Sequence, residues 1–157
     1  MKKSGLILLL SLIVLAIAVM IFLFSAQDGE SSSKTSGTVT EFVVRLLVKD
    51  YNHLPPRQRR SIYRQYEPWV RKAAHFSEFC LLGLFLRLLL QTIRFRFPGW
   101  GSWLGGTLYA VTDELHQHFV SQRTAMLQDV CIDSAGVLLG MLLAMALFAL
   151  AARNRAR

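Results

Sequence analysis

Gly5–Ser25 (GLILLLSLIVLAIAVMIFLFS) carries no charge over about twenty residues, the length a helix needs to cross a hydrocarbon core ~30 Å thick. Backbone groups in lipid have to be satisfied within their own segment, so such a stretch reads as a membrane helix. Lys2 and Lys3 precede it. A cleaved leader is the alternative. Its apolar core would be unusually long, and a cut after Ala26 would put Phe24 where a small residue is wanted. The expectation is an uncleaved anchor.

Three further segments read as spans: Ala73–Ile93, Gly99–Phe119 and Asp129–Ala152. With 53% hydrophobic residues in 157, the chain is one apolar domain with no room for a second core. The predicted fold is an all-α, integral membrane bundle of four transmembrane helices. A net charge of +8 raises the question of nucleic acid. The basic residues form no single face or stripe, however, and nucleic acid is excluded as a partner. Lys2, Lys3, Arg94, Arg96, Arg153, Arg155 and Arg157 fall on one side of a four-span bundle. The positive-inside rule makes that side, and both termini, cytoplasmic in a multi-pass protein of the cell membrane. The external loop 26–72 resists this, with nine Lys/Arg against five Asp/Glu, but long loops follow the rule weakly.

Within that loop Gln27–Gly37 reads as a polar, serine-rich link. Thr38–Tyr51 and Arg57–Tyr66, separated by Pro55–Pro56, read as short amphipathic helices at the interface or over the outer mouth of the bundle. Cys80 and Cys131 lie in apolar runs and read as small buried hydrophobes.

The polar residues are unevenly spread. Ala110–Gly140 holds Asp113, Glu114, His116, Gln117, His118, Arg123, Asp129 and Asp133 between apolar runs. A carboxylate in a membrane segment is costly without a partner, which marks such clusters as functional candidates. Four spans bring the end of span one, the start of span two, the end of span three and the start of span four to one face. His75/Glu78, Asp113/Gln117 and Asp129/Asp133 are each three or four residues apart, so each pair shares a helix face. On span four that face continues through Gly136, Gly140 and Ala144, a series that permits close helix contact. Leu138, Leu139, Leu142 and Leu143 are left for lipid. Gly101 and Gly105 offer span three a similar close surface.

FLFSAQDGESSSKTS at Phe22–Ser36, RKAAHFSEFCLLG at Arg71–Gly83, and TDELHQHFVSQR at Thr112–Arg123 followed by DVCID at 129–133 resemble the VanZ-like family of small membrane proteins. The family is named for a protein linked to low-level resistance to the glycopeptide teicoplanin. The resemblance implies a protein of the cell envelope whose site residues are Gln27, Arg71, Lys72, His75, Glu78, Asp113, Glu114, Gln117, Arg123, Asp129 and Asp133. A Pro-Gly-like turn is expected before Arg123, where this chain has Ser121–Gln122.

Three chemistries fit these residues, and the sequence leaves all three open. Arg71, Lys72 and Arg123 can pair with Glu78, Asp129 and Asp133 and merely staple helix ends. His75, Glu78, Glu114 and Asp133 can offer nitrogen and oxygen ligands to zinc or manganese, although no spacing names a metal or any other cofactor. In the third reading His75, Glu78, Asp113, Glu114 and Asp133 are acid/base candidates, with Glu114 or Asp133 as base. Arg71, Lys72, Gln117, Arg123, Asp129 and Gln27 would then hold an anionic headgroup. The implied partners are membrane lipids and lipid-linked cell-envelope precursors. A transport role would require a homo-oligomer, since four spans enclose little.

Overall fold

In a computed structural model, described over residues 2–121 and 125–155, the chain is all-helical, with no strand among the described residues. The helices are α1 (Lys3–Ser25), α2 (Gly29–Leu47), α3 (Pro56–Thr92), α4 (Pro98–Gln117) and α5 (Leu127–Arg155), with a 3-10 turn at Tyr51–His53. α1, α3 and α5 are long and apolar enough to cross a membrane. α4 has the length but, being rich in glycine and polar residues, is not apolar enough by composition alone.

Side-chain contacts fix the directions. Tyr109 Oη donates to the Ala18 carbonyl at 2.6 Å and Ser25 Oγ to Asp113 at 2.7 Å, so α1 and α4 run parallel. Trp103 Nε1 donates to Ser134 Oγ at 3.2 Å while Glu114 reaches Met126, so α4 and α5 run antiparallel. Lys72 meets Asp129 and the Arg87 guanidinium lies over the Phe148 ring, so α3 and α5 run parallel. Ile17, Ile21, Phe79, Leu82, Ala110 and Val137 form the core between these four helices.

Lipid is as apolar as leucine, so helices in a membrane associate through packing and hydrogen bonds rather than hydrophobic exclusion. The α3–α5 seam shows what that requires. A Cβ on Gly140 would run into the Cys80 carbonyl, one on Gly136 into the Phe76 carbonyl, and one on Gly83 into the Val137 backbone. Ala144, 0% exposed, continues the series, and Leu138, Leu139, Leu142 and Leu143 stay exposed as expected. On α4 the glycines divide their tasks. Gly101 and Gly105 face Leu90 and Leu86 of α3, whereas Gly106 is the one set against Val137 of α5.

The region between α1 and the apolar part of α3 departs from expectation. The serine-rich stretch is helical, because Asp28 caps α2 by accepting from Ser31 N at 2.7 Å. The stripe of α2 turned inward is Ser32, Thr40 and Val44, all buried, while Phe42 and Leu46 are 67% and 74% exposed. The basic helix and the second span are one helix, α3, which runs through Pro68 without a break. Its 37 residues extend about 55 Å at ~1.5 Å per residue. Both expected helices are thus present with other bounds: α2 begins at Gly29, the basic helix continues into the second span, and the two pack as an antiparallel hairpin. Ser33 bonds Glu67 across it, and Tyr51 Oη donates to the Arg59 carbonyl at 3.4 Å. The expectation of two buried cysteines is also corrected: Cys80 is half-buried and Cys131 is exposed.

α3 ends in a Schellman motif. Phe95 N donates to the Leu90 carbonyl at 2.9 Å and Arg94 N to the Gln91 carbonyl at 3.1 Å, with Arg94 at φ 60°. This turn sends the chain directly back into α4, with Pro98 in its first turn.

Candidate functional site

The C-terminal ends of α1 and α4 meet the N-terminal end of α5 and the middle of α3 at one level. Asp113 is the hub. Its Oδ2 accepts from Ser25 Oγ at 2.7 Å and from Gln117 Nε2 at 3.0 Å, and Gln117 Nε2 also reaches Ser25 Oγ at 3.2 Å. Asp113 and Gln117 are 3% and 7% exposed, so this triangle is a buried network on the α1–α4 side. Asp113 Oδ1 is buried with no hydrogen-bond partner among the described residues.

Asp133, 2% exposed, faces this hub from α5, and His75 faces it from α3. Each of His75, Asp113 and Asp133 offers a ligand-type atom, and these atoms all lie within 4.8 Å of one another. Glu114 behaves differently: its Oε1 accepts from Met126 N at 2.7 Å and pins the start of α5 to the end of α4. Lys72 pairs with Asp129 across α3 and α5. That pair is the helix staple the sequence allowed. Glu78 is half-buried, and its Oε2 has no hydrogen-bond partner among the described residues.

Two cavities open beside these groups. A polar one of about 310 Å³ is lined by Arg71, Lys72, His75, Glu114, Gln117, Asp129 and Asp133. The other, about 660 Å³, is a mainly apolar groove between α2 and α3, walled by Val39, Val43, Leu47, Trp69 and Val70 and reaching Glu78. Arg71 and His75 line both. Gln27 stands apart from the polar cluster. It lines the groove, and its Oε1 accepts from Thr35 Oγ1 at 2.9 Å. Arg123 and Gln122 lie outside the described residues.

Sequence reading named every residue lining the polar cavity except Pro68, Met126 and Ile132, but left Ser25 out of the site. The hydroxyl at the end of a charge-free span was its one visible signal. Ser134 and Ser77 are not poised as nucleophiles: Ser134 Oγ bonds Thr107 Oγ1 at 2.8 Å, and Ser77 Oγ donates to the Ala73 carbonyl at 2.8 Å. His116 sits against Phe22, ring centroids 4.6 Å apart, and His118 is exposed at the end of α4.

The family model described as VanZ/LLP1 matches residues 9–149, nearly the whole chain. The chain belongs to that family. Every VanZ-like site residue named above falls inside the matched range, and the basic ends of the chain, Lys2 and Lys3 and the arginine tail, fall outside it. No curated protein and no solved structure matches. The VanZ/LLP1 membership, with three helices able to cross a membrane, makes this a VanZ-like membrane protein.

Proposed function

We propose that this VanZ-like protein crosses the cell membrane four times and binds an anionic amphiphile at the outer face. The fourth crossing is supported by direction: α3 and α5 run parallel in contact, and α4 returns antiparallel along α5 between them. Its polar side chains face protein partners or the cavity inside the bundle, so it needs no apolar sequence all round. The outer-face assignment is supported by the lysines and arginines at the opposite end of the bundle.

The observation that carries the binding reading is that Arg71 and His75 line both cavities. A long apolar chain suits the groove, whose 660 Å³ falls in the ~300–1,000 Å³ range of ligand sites. A phosphate suits the polar cavity, where Arg71 offers a planar, permanently charged fork. The ligand class is a lipid-linked phosphate of the cell envelope. Holding or altering such a precursor at the surface would give modest tolerance to glycopeptides such as teicoplanin. An acid/base enzyme acting on the same lipid is the second reading. In it Asp133 is the base, because the Glu114 carboxylate is engaged by Met126 N.

The test compares thermal unfolding in detergent with a long-chain polyisoprenyl phosphate and with the matching polyisoprenol, both in EDTA. At a hundred times its Kd the phosphate stabilises by about 2.7 kcal/mol, the alcohol far less, and Arg71→Gln removes most of the difference. Equal shifts from phosphate and alcohol, or an unaltered response in Arg71→Gln, would overturn the reading.

A further inference from the structure

Two almost fully buried carboxylates and one half-buried imidazole share a level of the bundle, from three different helices. Ligands held ~2.0–2.2 Å from one cation in a tetrahedral site stand about 3.3–3.6 Å apart. The donor atoms of His75, Asp113 and Asp133, within 4.8 Å of one another, come to that spacing by side-chain rotation, without moving the helices. One imidazole nitrogen with two carboxylate oxygens is a donor set that zinc and manganese both accept.

Two further observations point to an ion. Ser25 and Gln117 hold Asp113 Oδ2, which leaves Oδ1 buried, without a hydrogen-bond partner among the described residues, as the oxygen free to ligate. Hydrogen bonds on the non-ligating atom of a carboxylate are how proteins aim metal ligands. Charge is the second. Glu78, Glu114 and Asp129 all stand close enough to Asp133 to repel it; of the two described cations lining the cavity Lys72 is committed to Asp129, which leaves Arg71 alone against the cluster. Two buried carboxylates in apolar surroundings need a counter-charge, and a divalent cation matches them in number.

We propose that His75, Asp113 and Asp133 bind a single divalent first-row cation, zinc being the first to test, with its open coordination position toward the 310 Å³ cavity that His75 and Asp133 line. Three protein ligands with a free position is the arrangement of zinc sites that engage water or an anion. The site stands whether or not the cavity holds a lipid headgroup.

The experiment is equilibrium dialysis of the detergent-purified chain, carrying no histidine tag and stripped with EDTA, against Zn²⁺ and separately Mn²⁺, without lipid phosphate. Wild type takes up one equivalent of zinc. His75→Gln and Asp133→Asn each weaken uptake at least about tenfold, the size of effect seen even for groups behind the ligands. His116→Gln, at a histidine outside the trio that stacks on Phe22, keeps the wild-type affinity. No uptake by wild type, or equal uptake by His75→Gln and Asp133→Asn, would overturn the site. Should those variants fail to fold, Co²⁺ in the wild type decides. A visible spectrum of low-symmetry nitrogen–oxygen ligation supports the site, and the spectrum of aqueous cobalt overturns it.

Discussion

α3 has two neighbours that it holds in opposite ways. Against α5 it packs backbone to backbone, with Gly83, Gly136 and Gly140 leaving no space for a Cβ. Against α2 it is held by Ser33–Glu67, Tyr63 beside Gly37, and the buried Thr40 and Val44, with a groove of about 660 Å³ left between the helices. One helix is therefore both a packed seam and the wall of a ligand-sized space. The difference lies in residue size. Small residues let main chains touch, whereas the valines and aromatics of the hairpin hold theirs apart.

The largest break in this comparison is Gly140→Leu. Its side chain would begin inside the Cys80 carbonyl, and the expected loss is about 3 kcal/mol or more, or no folded protein at all. Gly37→Ala is its counterpart in the hairpin, where the new Cβ meets the Tyr63 hydroxyl at 3.2 Å, the far end of a movable side chain. It should change stability by less than about 1 kcal/mol, since alanine favours the helix by a similar amount. Thermal unfolding and gel filtration in detergent read both. If the two glycines prove equally tolerant, the seam is not what holds α3 to α5.

A middle-sized effect is expected at the top of the seam. Lys72→Met leaves Asp129 without its partner. Both side chains keep about a quarter of their surface in contact with solvent, 26% and 29%, so the loss is about 1–2 kcal/mol, the low end for a charged hydrogen bond. Adding Asp129→Asn should recover part of it. A double variant as unstable as Lys72→Met plus Asp129→Asn separately would show that the two do not interact. The smallest stability change belongs to Val43→Trp, which fills the groove from α2. Unfolding should move by no more than about 0.5 kcal/mol, while the shift produced by polyisoprenyl phosphate disappears. A retained shift would place the lipid elsewhere.

The long helices outside the hairpin were legible: stretches expected at 5–25, 99–119 and 129–152 are helices Lys3–Ser25, Pro98–Gln117 and Leu127–Arg155, the first and last because long apolar runs have little freedom. The hairpin was not. Serine and threonine are weak helix formers, so the Gln27–Gly37 stretch looked like a link, and only the Asp28 cap and contacts to α3 reveal why it is a helix. The stretch left between Arg57–Tyr66 and Ala73–Ile93, which holds Pro68, is likewise helix within the continuous α3. For the site, helix direction brought the right segments together. Which donors converge depends on how each helix is rotated. The sequence therefore offered Glu78 and Glu114 as ligand candidates beside His75 and Asp133, whereas the donor atoms that converge are those of His75, Asp113 and Asp133.

The Schellman turn after α3 places Arg94, at φ 60°, where glycine is the usual residue. A left-handed backbone at a residue with a Cβ carries roughly 1–2 kcal/mol of strain. Under the orientation proposed above, Arg94 and Arg96 stand at the cytoplasmic end of the first tight connection between crossings. Glycine would relax the turn and would also erase half of the charge pair that tells an insertion machinery which way the hairpin faces. Under that orientation the arginine at this position serves as an address label where glycine would give an easier bend.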